Sequence, residues 1–165
     1  MVGSEKEMCR AARFAFLAYA SAFVGEHHQE ERHPRNLILI LAREFALKLA
    51  TPMFIADDEG RLVFYNEPAE EVLGRPYSDA GEMAAGEWGE LFQIEDLEGS
   101  PLPLEAMPAG VAFRERRPAH GGIRITGLDG KKRELAVTAF PLFSREREFV
   151  GVVAIFWEQP VLPFS

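Results

Sequence analysis

The residue types best suited to metal chemistry in this sequence lie in one short polar stretch near its start. Residues 26–35 contain three of the four histidines among glutamates and arginines. His27 and Glu31 stand four residues apart, a spacing that places two ligands on the same side of a helix. Mixed charges between apolar segments are more typical of a solvated linker. We therefore assign the stretch to a linker and expect no metal site.

The sequence lacks the common catalytic signatures. It has no Gly-x-Ser-x-Gly nucleophile turn, no glycine-rich phosphate loop and no His-Glu-x-x-His helix. The paired carboxylates Asp57 and Asp58 come just before Gly60, where acidic side chains favour the backbone of a tight turn. We therefore expect a protein that binds and signals, not an enzyme.

The composition fits one soluble domain with an appendage. Of the 165 residues, 47% are hydrophobic and thirteen are phenylalanine, so a core, a pocket or a partner must cover much apolar aromatic surface. The formal net charge of -8 argues against a nucleic-acid partner, which requires clustered basic residues.

Cysteine usage and hydropathy point to the cytoplasm. The single cysteine, Cys9, cannot form an internal disulfide, so no oxidising compartment is required. The apolar stretch 14–24 is shorter than the about 20 residues that span a bilayer, so we expect no membrane partner. Glu5 and Glu7 argue against a signal peptide in the same region.

The N-terminal part of the sequence predicts two helices, at about 5–24 and 34–50. Both are apolar around most of their circumference, so each must pack on the domain or on a second copy of the chain. We expect this segment to form a homodimer. The candidate interface residues are Phe14, Leu17, Leu37, Ile40, Leu41 and Phe45.

A strand-rich region follows from residue 49. Two short apolar runs flank an Asp-Asp-Glu-Gly turn, which predicts a β-hairpin. Asn66 then fits an N-cap and Gly74 fits the end of a short helix. Short helical pieces are predicted at 82–85, 87–92 and 104–113, and strands are predicted at 123–126, 133–143 and 148–157.

The last two predicted strands are apolar on both alternating faces. An antiparallel sheet with one wet face would alternate apolar and polar residues, and these strands do not. Both faces of the sheet must therefore be covered by other elements. The short helices can cover one face, and the N-terminal helices or a second subunit must cover the other.

The order and spacing of these segments resemble the PAS domain family over about residues 49–158. No one motif is diagnostic, and the likeness rests on their succession. The residues that carry it are 56–69 (ADDEGRLVFYNEPA), 73–75 (LGR), 98–103 (EGSPLP), 127–130 (GLDG) and the strand end 152–157 (VVAIFW).

This resemblance implies an α+β fold: a five-stranded antiparallel sheet in the order 2-1-5-4-3, with short helices on one face around a small cavity. The chain then divides into an N-terminal helical segment (1–48), a PAS domain (49–158) and a tail (159–165). The resemblance also implies sensing of a ligand, redox state or light, or protein assembly, with flanking helices that dimerise.

The resemblance leaves the cofactor open. The family's photochemical flavin branch uses an Asn-Cys-Arg-Phe-Leu-Gln motif, but Cys9 lies outside the domain and 87–94 lacks the motif. Non-covalent flavin, stacked on Trp88, remains an alternative. Haem is another, although the predicted helix at 104–113 offers only Met107 and no histidine. We name no cofactor.

The resemblance implies a pocket among buried apolar residues, for which a filled core is the alternative. We expect a sensory module that binds a small, mostly apolar molecule and acts on a separate output protein. A ligand-free interaction domain is the alternative. The pocket candidates are Phe54, Phe64, Val72, Trp88, Phe92, Met107, Val111, Phe113, Ile125, Val137, Ala139 and Phe156.

Overall fold

A computed structural model describes residues 32–159, with side chains from Leu37 onwards. The predicted helix at 5–24, including Phe14 and Leu17, lies outside the described residues, as does the histidine stretch up to residue 31. The described elements are α1 (Arg32–Ala46), β1 (Met53–Asp57), β2 (Leu62–Tyr65), α2 (Glu67–Leu73), α3 (Tyr77–Ala80), α4 (Ala85–Leu91), a 3-10 turn (Leu104–Ala106), α5 (Pro108–Glu115), β3 (Ala119–Thr126), β4 (Lys132–Phe143) and β5 (Phe149–Glu158).

The five strands form one antiparallel sheet in the order β2-β1-β5-β4-β3. This confirms the predicted α+β class and strand order. The first and last strands of the domain lie side by side in the centre of the sheet, because β5 pairs with both β1 and β4. The short helices follow β2 and precede β3.

Local sequence signals set the ends of α2 as predicted. The Asn66 side chain accepts a hydrogen bond from the backbone N–H of Ala69 at 3.2 Å, which caps the helix. Gly74 ends it in a left-handed conformation with φ of 77°, and its N–H donates to the carbonyl of Glu70.

Four predicted elements differ from the structure. The helix predicted at 34–50 ends earlier, at Ala46. Met83 exchanges two backbone hydrogen bonds with Leu62, so the helical piece at 82–85 is wrong. The helix at 104–113 is broken at Met107, because Pro108 forces the preceding residue into extended backbone. Strand β3 begins at Ala119 and not at the predicted residue 123. The prediction started late because Gly121 and Gly122 have low strand propensity.

Both faces of the sheet pack against apolar side chains, as the strand pattern predicts. The inner face meets α2 to α5. On the outer face, Leu39, Ala42 and Ala46 of α1 pack in a cluster with the sheet. The sheet residues of that outer cluster are Met53, Ile55, Phe64 and Val153, with Phe140, Leu142 and Ile155 beside them.

Within residues 32–159, no helix is both long enough and apolar enough to cross a lipid bilayer.

The contact between α5 and the 3-10 turn gives a stability prediction. A methyl group at Gly110 would overlap the backbone carbonyl of Leu104, whereas one at Gly86 in α4 would meet nothing within 4 Å. We expect Gly110→Ala to lower the free energy of unfolding by about 2 kcal/mol, because backbone must move. We expect Gly86→Ala to raise it by about 0.5 kcal/mol. Urea denaturation measures both, and equal effects of the two substitutions would contradict the packing.

Candidate ligand-binding cavity

A small cavity lies between the inner face of the sheet and the helices. Its volume is about 40 Å³, and every residue that lines it is apolar. Seven of the predicted pocket residues meet there, from β1, α4 and the residue that ends it, the segment before α5 and the last three strands. They are Phe54, Trp88, Phe92, Met107, Ile125, Val137 and Phe156.

Phe64 is not among them and requires a correction. A β-bulge between Ile55 and Ala56 pairs Ile55 with Phe64 and Ala56 with Leu62. Simple alternation would place Leu62 and Phe64 on one face, but the bulge sends them to opposite faces. Phe64 therefore packs in the outer cluster with α1, where its ring meets Tyr77 edge-on.

Four other predicted residues also lie away from the cavity. Val72 and Ala139 belong to the same inner cluster but do not line the space. Val111 is half-buried and lines neither the cavity nor the groove next to it. Phe113 lines that groove instead.

The sequence reasoning missed seven lining residues. Ile123 and Leu135 stand two positions before the predicted Ile125 and Val137, so strand periodicity could have found them. The others come from the hairpin, the helices and the connecting segments, for which no local pattern indicates direction. The missed residues are Leu62, Leu73, Ile94, Pro108, Ala109, Ile123 and Leu135.

A larger groove adjoins the cavity on the surface. It has a volume of about 310 Å³ and runs between the β1–β2 turn, α4 and α5. Phe54, Trp88 and Ala109 line both spaces and so form the wall between them. The rings of Phe54 and Trp88 lie 5.6 Å apart between centroids, in a tilted arrangement.

The indole nitrogen of Trp88 is buried within this wall and adds no polar surface to the cavity. The residue is only 8% exposed, and its Nε1–H is buried without a hydrogen-bond partner. No other buried side-chain nitrogen or oxygen in the described part of the chain lacks a partner. Most buried donors in folded proteins are paired, so this one requires an explanation.

Two tyrosines beside the sheet, one buried and one half-buried, have structural roles. The Tyr65 hydroxyl donates to the carbonyl of Arg75 at 3.0 Å, and the Tyr77 hydroxyl donates to the carbonyl of Val63. Burial raises the pKa of Tyr65 to about 12 and also raises the pKa of Tyr77. Both hydroxyls therefore stay neutral at physiological pH.

The lining does not fit a flavin or a haem. Cofactor and ligand pockets usually have about 300 Å³ or more and a few polar groups, whereas this cavity has about 40 Å³ and an all-apolar lining. His120, the one histidine side chain described, lies on the outer face, bonded to Thr138 Oγ1 at 2.7 Å. Over the described residues, no group of three or more His, Cys, Asp or Glu could hold a metal.

Behind the sheet, the Asn66 side chain connects α1 to the domain. Its Oδ1 accepts from the N–H of Met53 at 2.9 Å and from that of Ala69. Its Nδ2 donates to the carbonyls of Ala46 at 3.1 Å and Thr51 at 2.9 Å. One buried amide therefore joins the end of α1, the start of β1 and the start of α2.

Helix α1 leaves an apolar stripe on its far side. The four side chains recur at helical spacing and are more than half exposed, up to 59% for Phe45. This is the described part of the predicted dimer interface. The stripe consists of Leu37, Ile40, Leu41 and Phe45.

The profile of the PAS domain family matches residues 50–158, more than half of the chain. The chain belongs to the PAS domain family. A search of curated proteins found no match.

Solved structures share the PAS fold at low sequence identity. The LOV protein of Rhodobacter sphaeroides is 11% identical with a TM-score of 0.58, over 76% of this chain and 69% of that one. The LOV domain of a blue-light activated histidine kinase from Erythrobacter litoralis is 19% identical with a TM-score of 0.53, over 68% and 98%. The PAS domain of Bordetella pertussis BvgS is 19% identical with a TM-score of 0.50, over 73% and 84%.

The Asn66 amide gives a second stability prediction for this PAS domain. Asn66→Ala removes four hydrogen bonds and leaves buried backbone groups unpaired, so we expect a loss of about 3 kcal/mol or more. Gln159→Ala, which removes an exposed amide, is the control and should change stability by less than about 0.5 kcal/mol. Urea denaturation at neutral pH compares them. A loss below about 1 kcal/mol for Asn66→Ala would show that the amide is dispensable.

Proposed function

We propose that this PAS domain is a sensory module that binds a small, mostly apolar molecule and transmits its bound state to helix α1. The observation that carries the proposal is the all-apolar cavity with a groove directly behind its wall. Membership of the PAS family supports a sensory role, as do fold neighbours that include part of a light-activated histidine kinase.

The ligand enters through the wall that the two spaces share. The cavity alone is too small for a molecule of several rings, but the groove of about 310 Å³ reaches the range of small-ligand pockets. A rotation of Trp88 or Phe54 would join them, since both rings line both spaces. The apolar lining selects a molecule that is largely uncharged, of about one ring in size.

The bound state reaches α1 through the central strands. Phe54 faces the cavity, while its neighbours Met53 and Ile55 on the same strand pack in the cluster that contains α1. The Asn66 amide bonds both the N–H of Met53 and the carbonyl of Ala46 at the end of α1. A shift of Phe54 on ligand entry therefore acts on a strand to which α1 is directly attached.

The exposed stripe of α1 is the proposed homodimer interface. Four large apolar side chains, each more than half exposed, form a patch that a partner would remove from water. A second copy is the partner we propose, because a single helical stripe can pack on itself about a two-fold axis. In this proposal the output protein is separate, and the module works in the cytoplasm.

A ligand-free interaction domain is the second candidate function. The size of the cavity favours it, since about 40 Å³ between packed side chains resembles an ordinary packing defect. In this case α1 docks its partner and the interior is simply a core. The two candidates differ in whether the purified protein holds a small molecule.

The ligand proposal predicts that substitutions at two neighbouring alanines differ in their effect on ligand occupancy. Ala109 lies in the shared wall, whereas Ala106 is exposed on the neighbouring 3-10 turn. We expect native mass spectrometry of the wild type to detect a bound small molecule. Ala109→Leu should reduce its occupancy about tenfold by filling the entrance, while Ala106→Leu should retain it. If the wild-type protein holds no small molecule and binds none that is added, the result supports the ligand-free alternative.

The dimer proposal predicts an effect of charge on the stripe. We expect the full-length protein to elute at twice the monomer mass in size-exclusion chromatography with light scattering. Leu41→Glu should yield a monomer, because it places a carboxylate in an apolar interface. Leu128→Glu, at an exposed leucine outside α1, is the matched control and should remain a dimer. A monomeric wild type would refute this part of the proposal.

A further inference from the structure

The cavity between the sheet and the helices has a surface made of apolar atoms alone. Among the described residues, no polar atom contributes to its lining, and the buried nitrogen of Trp88 adds none. The groove outside the wall differs, because Glu59, Glu105 and Arg114 are among the residues that line it. The two spaces therefore present different chemistry to a ligand.

The size of this cavity does not keep water out, but its chemistry does. One water molecule needs about 10–15 Å³ of cavity volume, so the cavity of about 40 Å³ is large enough for roughly three. A water molecule inside a protein also needs about two to four polar partners. The described lining offers none, so the cavity is dry.

Backbone contacts in both layers keep the cavity from closing. Leu104 lies between α4 and α5: a Cβ atom at Gly89 would lie 2.9 Å from its side chain, and one at Gly110 would overlap its carbonyl. These contacts fix the distance between the two helices. On the opposite side, the hydrogen-bonded ladders of β3, β4 and β5 fix the strands that carry Ile125 and Val137. Filling the space would require one layer to give up contacts that it already makes.

A dry apolar space of fixed size selects its ligand by polarity. A molecule with a hydroxyl or carbonyl group would give up its hydrogen bonds to water there and form none in return. A molecule without such a group loses no hydrogen bond, and it supplies the dispersion contacts that the lining lacks. The cavity therefore favours a ligand that has no hydrogen-bonding group.

We propose that the cavity is a dry binding site for a nonpolar gas or a hydrocarbon of about three or four heavy atoms, and that it excludes molecules with a hydrogen-bonding group. The inference rests on the proposed function and deepens it, since it names the chemical class that the same cavity takes. A larger ligand that opens the wall at Phe54 and Trp88 would place a nonpolar end in the cavity and any polar group in the groove.

Xenon, isobutene and acetone test this class by size and by polarity. Xenon stands for a nonpolar gas. Isobutene and acetone have nearly the same shape and differ in whether a methylene group or a carbonyl oxygen stands at one end. Each probe is added to the full chain, and methyl chemical shifts are followed by NMR. Ile125 and Val137 line the cavity, whereas Val153 is buried in the outer cluster and is the internal control.

We expect xenon and isobutene to shift the methyl resonances of Ile125 and Val137 until the shifts saturate, and to leave Val153 unchanged. Acetone at the same concentrations should shift none of them. Val137→Thr places a hydroxyl group on the lining, which binds water that the probe must displace, so the dissociation constant of isobutene should rise about tenfold. Val111→Thr, at a valine that lines neither space, is the matched control and should leave that constant unchanged.

Each outcome separates the inference from the function beneath it. Shifts with xenon alone support the inference for gases, and shifts with isobutene support it for hydrocarbons. If acetone acts as isobutene does, or if neither nonpolar probe shifts the cavity methyls more than Val153, the inference is overturned. The sensor proposal then still stands when native mass spectrometry detects a bound molecule. If the nonpolar probes bind and no larger molecule does, the inference holds and the ring-sized ligand is refuted. If Val137→Thr fails to fold, the wild-type spectra decide alone.

Discussion

The structure depends on one buried side-chain amide whose hydrogen-bonding positions are all paired. The Asn66 side chain is 1% exposed, and it uses both acceptor positions of its oxygen and both hydrogens of its nitrogen on four backbone groups. Those groups belong to α1, the segment before β1, β1 itself and α2. Because a partly satisfied amide is costly inside a protein, the four segments must keep one relative arrangement.

That arrangement makes the sheet a shared wall between two apolar layers. Along β1, Phe54 faces the cavity while Met53 and Ile55 face α1, and β5 divides in the same way between Val152 and Val153. Close-packed interiors transmit displacement because they contain little free volume. In the proposed function, a change in the inner layer therefore displaces the helix on the outer layer without any contact between ligand and helix.

How far the sequence predicts this molecule depends on how local each signal is. The cap at Asn66, the stop at Gly74 and the apolar faces of β4 and β5 follow from neighbouring residues, and the strand order followed from the family resemblance. The face of Phe64 could not be predicted, since it depends on a bulge set by pairing with β1. Nor could the unpaired donor of Trp88, because hydrogen-bond satisfaction depends on segments far apart in the chain.

Trp88 and the cavity beside it concentrate two unfavourable features at one place. The side chains that line the void lack dispersion contacts on the side that faces it, and the indole N–H lacks a hydrogen-bond acceptor. In the proposed function, an apolar molecule in that void restores the missing dispersion contacts once Phe54 and Trp88 move apart to admit it. A ligand shifts an equilibrium only by its difference in affinity between two states. In the proposed function that difference arises at the wall residues, and Phe54 lies on the strand that the Asn66 side chain joins to α1.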